Sequence, residues 1–168
     1  MKKIISVFIF LLLLVGCSLS NNPTSQVEEL LNKYQRIDNE IKEGIEEVIS
    51  NETLTPDQKE RYRDLLEKQY KNLSYQVKNE RIDGDDAIIT VEIETINYKK
   101  AINETTNYYD KKEDYTIEEY NNTKLDKLEQ ETEKVTYTID FEVSKDENGN
   151  WKLNSLSNET IKKIQGMY

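Results

Sequence analysis

The stretch from Val135 to Leu156 dictates what the rest of the chain must supply. Val135, Tyr137, Ile139, Phe141 and Val143 take every second position, with Thr136, Thr138, Asp140 and Glu142 between them. That is the period of a strand with one apolar and one wet face. Asp146-Glu147-Asn148-Gly149-Asn150 then supplies turn residues, Asn-Gly being the strongest short hairpin signal, and Trp151 and Leu153 resume the alternation. Each apolar side chain on such a face contributes roughly 1.5–3 kcal/mol once buried. The hairpin therefore needs a covering layer, with Trp151 as its central plug.

A second β unit spans Tyr75 to Tyr98. Tyr75 and Val77 alternate with Gln76 and Lys78, Asp83-Gly84 with Asp85-Asp86 makes the turn, and Ala87, Ile89, Val91 and Ile93 form the returning apolar face. Neither this turn nor Asp146–Asn150 has the ligand spacing of an EF-hand loop, because Trp151 stands where the second would need glycine. Both are read as hairpin turns, and no metal or other cofactor is expected.

The cover comes from helices. Ser25-Gln26-Val27-Glu28 matches a capping box, and Val27, Leu30, Leu31, Tyr34, Ile37, Ile41, Ile45 and Val48 recur every three or four residues. This predicts one helix of about six turns. Thr55-Pro56-Asp57-Gln58 opens another, with Tyr62, Leu65, Leu66, Tyr70 and Leu73 on its inner side. Between the β units lies an insert, about residues 99–134, poor in aliphatics and rich in charge. Ala101, Ile102, Thr105, Tyr108 and Tyr109 suggest a short helix. Thr116-Ile117-Glu118-Glu119 caps a second, with Ile117, Tyr120, Leu125 and Leu128 on a weak stripe. Ser157-Asn158 caps a last short helix carrying Ile161 and Ile164. The expected fold is α+β: N-terminal helices on a curved antiparallel sheet of about four strands, with a helical insert and a short C-terminal helix.

The first residues read as an address. Met1-Lys2-Lys3 precedes an apolar run from Ile4 to Val15, broken only by Ser6. Twelve residues fall short of the roughly 20 that span a bilayer, and the basic flank is that of an export signal. The run closes on Leu14-Val15-Gly16-Cys17, which resembles the lipobox of bacterial lipoproteins. The resemblance implies cleavage between Gly16 and Cys17 and a diacylglyceryl group on the Cys17 thiol. Cys17 is the one cysteine of the chain, so it has no disulfide partner within it. Two acyl chains are what stable anchoring takes. A secreted protein with an incidental cysteine, or an uncleaved anchor helix, are the alternatives. The expected organisation is a signal peptide over 1–16, lipidated Cys17 with a polar tether to 24, and one domain over 25–168. Its place is the cell membrane, facing outside the cytoplasm.

Charge and residue types exclude several functions. Loss of Lys2 and Lys3 with the signal takes the net charge from −10 to −12, which repels nucleic acid and anionic headgroups. There is no histidine, and lipidation would consume the thiol, so the commonest general base and nucleophile are missing. A buried Asp or Glu at the mouth of the sheet is the one remaining route to catalysis, and no enzyme is expected. Tyr75, Tyr98, Tyr137, Phe141 and Trp151 either fill the core or line a pocket in the sheet.

The lipobox, the pattern Y-x-V…I-D-G-D-x-A-x-I-x-V-x-I from Tyr75, and the ending G-N-W-K-L-N-S-L-S-N-E resemble small bacterial lipoproteins with a nuclear-transport-factor-2-like (cystatin-like) domain. The resemblance implies a sheet that hosts binding modules and scaffolds, and a possible homodimer through the exposed sheet face. The function expected is a lipid-anchored module that binds a protein or envelope component. An immunity or inhibitor lipoprotein against a secreted toxin or enzyme is the alternative. Tyr108, Tyr109, Tyr115 and Tyr120 of the insert are the candidate partner-binding side chains, since exposed aromatics dominate interface energies.

Overall fold

A computed structural model describes residues 21–168. The order is α1 (Pro23–Arg36), α2 (Asn39–Ser50), α3 (Pro56–Lys71), β1 (Ser74–Asp83), β2 (Asp86–Ile96), α4 (Tyr98–Tyr109), α5 (Ile117–Gln130), β3 (Lys134–Lys145), β4 (Trp151–Leu153) and α6 (Asn158–Ile164). This is the α+β arrangement expected. The proposed cleavage pair Gly16 and Cys17 lies outside the described residues.

The strands form one antiparallel sheet in the order β1-β2-β3-β4. Cross-strand partners on its inner face are Ala87 with Val143, Ile89 with Phe141, Val91 with Ile139 and Ile93 with Tyr137. Most of these side chains are fully buried, and with Val27 and Leu31 of α1 they belong to one core. Both turns use glycine where φ is positive, at Gly84 and Gly149. The Asp146 carboxylate accepts the N–H groups of Asn148 and Asn150, each at 2.9 Å. Those bonds hold it below the usual carboxylate range. The turn thus occupies its own acidic group, in keeping with a hairpin rather than an ion site.

The single long N-terminal helix does not form. The chain breaks at Ile37, which takes a left-handed conformation (φ 51°), and Asp38 caps α2 by accepting from the Ile41 N–H at 3.1 Å. Left-handed backbone costs a non-glycine residue about 1–2 kcal/mol. Here the Ile37 side chain is buried, which offsets that cost. The periodicity hid the break because Tyr34, Ile37 and Ile41 keep helical spacing across it. Helix α1 also starts earlier than expected. Its capping box joins Asn22 to Ser25, so Pro23 and Thr24, assigned to the tether from sequence, are helical.

Among the aromatic residues assigned to strands, Tyr98 is the first residue of α4 and fully buried, donating to the Leu65 carbonyl at 3.2 Å. Phe141 and Trp151 are core side chains, while Tyr75 and Tyr137 pack at its margin. None of these five lines a groove of about 570 Å³ among α1, α2, α3 and α6 whose wall includes Leu30, Tyr34, Ile41, Val48, Tyr70 and Ile161.

Candidate partner-binding surface

The insert is a pair of ordered antiparallel helices that pack on α3. From the sheet outward, Arg61 of α3 grips α5, its Nε 2.8 Å from Glu129 and a terminal nitrogen 2.6 Å from Asp126. Further out, the buried Gln58 donates to the Glu118 carbonyl at 3.2 Å and to Asn122 at 2.9 Å. Asn121, also buried, donates to the Thr53 carbonyl at 2.9 Å. The start of α5 is therefore pinned to the start of α3, and the link between α4 and α5 is carried on a fixed support.

The tyrosines gather around that link: Tyr108 and Tyr109 end α4, Tyr115 lies in the link and Tyr120 is in α5. Thr116 and Glu119 form the reciprocal capping box read from sequence, with bonds of 3.1 and 2.8 Å. Tyr109 sits at the centre of the cluster. Its ring centroid is 5.1 Å from that of Tyr108, 4.6 Å from Tyr115 and 5.3 Å from Tyr120, all near edge-to-face. Its hydroxyl donates to the Glu119 carbonyl at 3.0 Å and lies 2.8 Å from the Thr123 hydroxyl. Tyr109 is 4% exposed. As an exposed contact residue it is therefore ruled out, because it is the hub on which the others pack. Tyr120 is half-buried, its hydroxyl 3.3 Å from that of Thr106.

Tyr108 and Tyr115 do reach solvent, at 51% and 48% exposure. The Lys112 ammonium stands 4.7 Å from the Tyr108 ring centroid and 4.9 Å from that of Tyr109. Ile117, assigned to the inner stripe of α5 from sequence, is 59% exposed. Ile117 is the first residue of α5, and its side chain stays in solvent although Gln58 and Tyr109 bond the Glu118 and Glu119 carbonyls next to it. Sequence reasoning missed Ile117 because periodicity says which side chains share a face, not which of them the neighbouring elements cover.

The position of this cluster follows from the strand register. The described chain enters beside β4, where Asn21 accepts the Trp151 N–H at 2.6 Å and Thr24 bonds Glu80. Trp151 pairs with Lys145 at one end of β3. Helix α4 departs from the other end, where Ile96 pairs with Lys134. Strand β2 alone separates the two ends by roughly 35 Å, at about 3.4 Å per residue. The contacts of Tyr98 with Leu65, Arg61 with Glu129 and Gln58 with Glu118 then step away from the sheet along α3. The exposed aromatics are thus remote from the entry of the chain.

Elsewhere among the described residues the polar side chains fall into two sets. The buried polar side chains are Gln58, Gln69, Thr95, Thr105, Asn121 and Gln165, all neutral amides or hydroxyls. The carboxylates with displaced titration (Glu46, Glu94, Glu119, Glu131, Asp146 and Glu159) move downward, toward the charged form. Among the described residues no group of three or more Asp, Glu, His or Cys side chains converges to hold a metal ion. No helix among the described residues is long and apolar enough to cross a membrane.

Fold and surface together define an α+β domain with a four-stranded meander, covered by helices and extended by an aromatic-tipped helical pair. No family model and no curated protein matches the chain. Among solved structures, the chain is similar to one from Bacillus subtilis described as a "putative lipoprotein". The two share 15% identity at a TM-score of 0.42, over 83% of this chain and 46% of the other. The chain thus spans less than half the length of that protein, and the likeness is too loose to define a common fold family.

Proposed function

We propose that this protein is a lipid-anchored extracytoplasmic binding module, held to the membrane through Cys17 and contacting a protein or envelope component with the Tyr108–Tyr115–Ile117 tip. The observation that carries the reading is an exposed aromatic cluster on a braced support, far from the point where the tether joins the domain. A surface so arranged faces away from the anchoring bilayer. Large rings held by their neighbours lose little conformational freedom on binding, which is why such residues dominate contact energies. The acidic body adds no attraction for anionic lipid, so attachment rests on the acyl chains.

The experiment has two arms. In the first, Cys17→Ser should abolish lipid labelling and release the protein from the membrane fraction. Retention of that variant with unchanged processing would overturn the anchor. In the second, a photo-crosslinking amino acid at position 115 in intact cells should give an adduct of one discrete mass. The same group at the exposed Glu43 should not. Absence of an adduct at 115, and at 108 when the group is placed there instead, would overturn the tip as the contact surface.

A further inference from the structure

We infer that β3 pairs with the β3 of a second copy, joining two sheets edge to edge across a twofold axis at Tyr137. The inference rests on the free edge of the sheet and is independent of the aromatic tip.

β4 is only three residues long and covers only the end of β3, from Val143 to Lys145. The backbone hydrogen bonds show which groups face outward on the remainder. Lys145 N–H donates to Asp85 and the Glu133 carbonyl accepts from Asn97, so odd-numbered residues turn toward the β2 side. Asp146 N–H donates to Asn150 and the Glu142 carbonyl accepts from Asn154, so even-numbered residues turn to the other side. The β2–β3 register runs without a shift from Lys134 to Ser144. Thr136, Thr138 and Asp140 therefore present their N–H and C=O groups outward. Among the described residues no strand receives them.

An open strand edge is a template for another strand, and proteins ordinarily defend it with charge, proline or a bulge. The opposite edge is defended in that way. β1 carries Lys78, Glu80 and Arg81, and its register shifts between Val77 and Asn79. The free edge of β3 reads Val135-Thr136-Tyr137-Thr138-Ile139 between single charges at Lys134 and Asp140, with no proline, glycine or bulge, and with strongly β-favouring residues between those ends. Its inner side is also accessible, because a groove of about 430 Å³ opens there, walled by Asn103, Asn107, Val135, Tyr137 and Tyr168.

The choice of a second copy as occupant comes from self-complementarity. The free segment runs from Lys134 to Asp140, since the Glu142 carbonyl is already engaged. Folding that segment on itself antiparallel sets its centre at Tyr137. Thr136 then faces Thr138 of the second copy, and Lys134, which also pairs with Glu94 at 2.6 Å, faces its Asp140, which also accepts from the Thr90 hydroxyl at 2.6 Å. On the inner face Val135 meets Ile139. Opposite charges, paired threonines and paired β-branched residues are the cross-strand combinations that stabilise antiparallel sheets. The symmetry repeats each of them, and the four hydrogen-bonded pairs exchange two bonds each, about eight in all. The contact is isologous and closes as a dimer.

The test uses the full chain purified from membranes in detergent. At a non-hydrogen-bonded antiparallel pair the Cα atoms lie about 4.5 Å apart, within the span of a disulfide. Mild oxidation of Tyr137→Cys should therefore give a crosslinked dimer above the parent background, and Gln76→Cys on the β1 edge should not. Thr138→Pro removes only an outward N–H, so the melting curve should stay while sedimentation shifts to monomer. Lys134→Glu should weaken association roughly two- to thirty-fold, and adding Asp140→Lys should restore it. A monomeric parent, equal crosslinking at 76 and 137, or a double charge reversal that stays weak would each overturn the pairing. So would higher oligomers, because a twofold contact closes.

Discussion

Gln69 and Ile96 pair as two neighbouring strand residues would, although one is a helical side chain. The Gln69 amide donates to the Ile96 carbonyl at 2.9 Å and accepts the Ile96 N–H at 3.2 Å. Its second N–H reaches the Gln165 carbonyl at 2.7 Å. One fully buried amide thus ties the end of α3, the end of β2 and the end of α6 together. Gly166 closes the joint, its carbonyl accepting the Lys99 N–H at 2.7 Å.

Removing that amide strands buried backbone groups, each costing about 1–3 kcal/mol. Gln69→Leu is expected to destabilise the domain by roughly 2–5 kcal/mol, read as a lower midpoint in urea. Gly166→Ala should be at least as damaging. Its Cβ would overlap the Ile96 carbonyl oxygen, at a φ of +66° that side chains rarely adopt. Wild-type midpoints for both variants would show that the C-terminal segment does not dock here.

Trp151 plugs the second hairpin. It is 8% exposed, with the Lys145 ammonium 4.9 Å from its ring centroid. Its fluorescence should resist iodide, and Trp151→Ala should cost about 3–5 kcal/mol, a large share of a typical total of 5–15 kcal/mol. Free quenching with an unchanged melting temperature would put the indole on the surface.

The strands and most caps were legible because their signals are local. Alternation across Val135–Val143, glycine at the two turns, and the boxes at Thr55 and Thr116 each specify their own backbone. The break at Ile37 was not legible, since the apolar rhythm passes through it and only Asp38, a good cap, marks the restart. The tyrosine cluster shows the same division. Four tyrosines near one link were visible, but burial of Tyr109 depends on how α5 packs back on α4, bringing Glu119 and Thr123 to its hydroxyl. The joint at Gln69 left no signal, because a polar residue on a helix resembles a solvated one until its three partners come together.

Buried tyrosines set the alkaline limit of the fold. Burial pushes the Tyr62 and Tyr98 hydroxyls well above their ordinary value, and raises Tyr70 as well. A raised folded pKa means that the group's stabilising contribution is complete below the unfolded value near 10. It is lost as pH rises beyond that value, because the unfolded chain gives up protons that the native state keeps. The denaturant midpoint should therefore fall from about pH 10 upward. Phenolate absorbance from these three rings should appear only with unfolding. Their ionisation near pH 10 in a chain that keeps its native circular dichroism would contradict their burial.

The tip offers a separation of stability from binding within one cluster. Tyr109 fills its centre and makes two hydroxyl contacts, so Tyr109→Ser should lower the melting temperature, with a cost on the order of 3–5 kcal/mol. Tyr108 and Tyr115 stand about half in solvent and lose little packing when replaced. Tyr108→Ser with Tyr115→Ser should shift the melting curve by no more than about 2–4 °C, since two surface changes of up to about 0.5 kcal/mol each sum to about 1 kcal/mol. The same pair should abolish the adduct formed from a photo-crosslinking group at Ile117, which remains exposed beside them. An adduct that survives the double replacement would assign the contact to other residues of the link. A melting temperature that falls as far as that of Tyr109→Ser would make all three tyrosines part of the core.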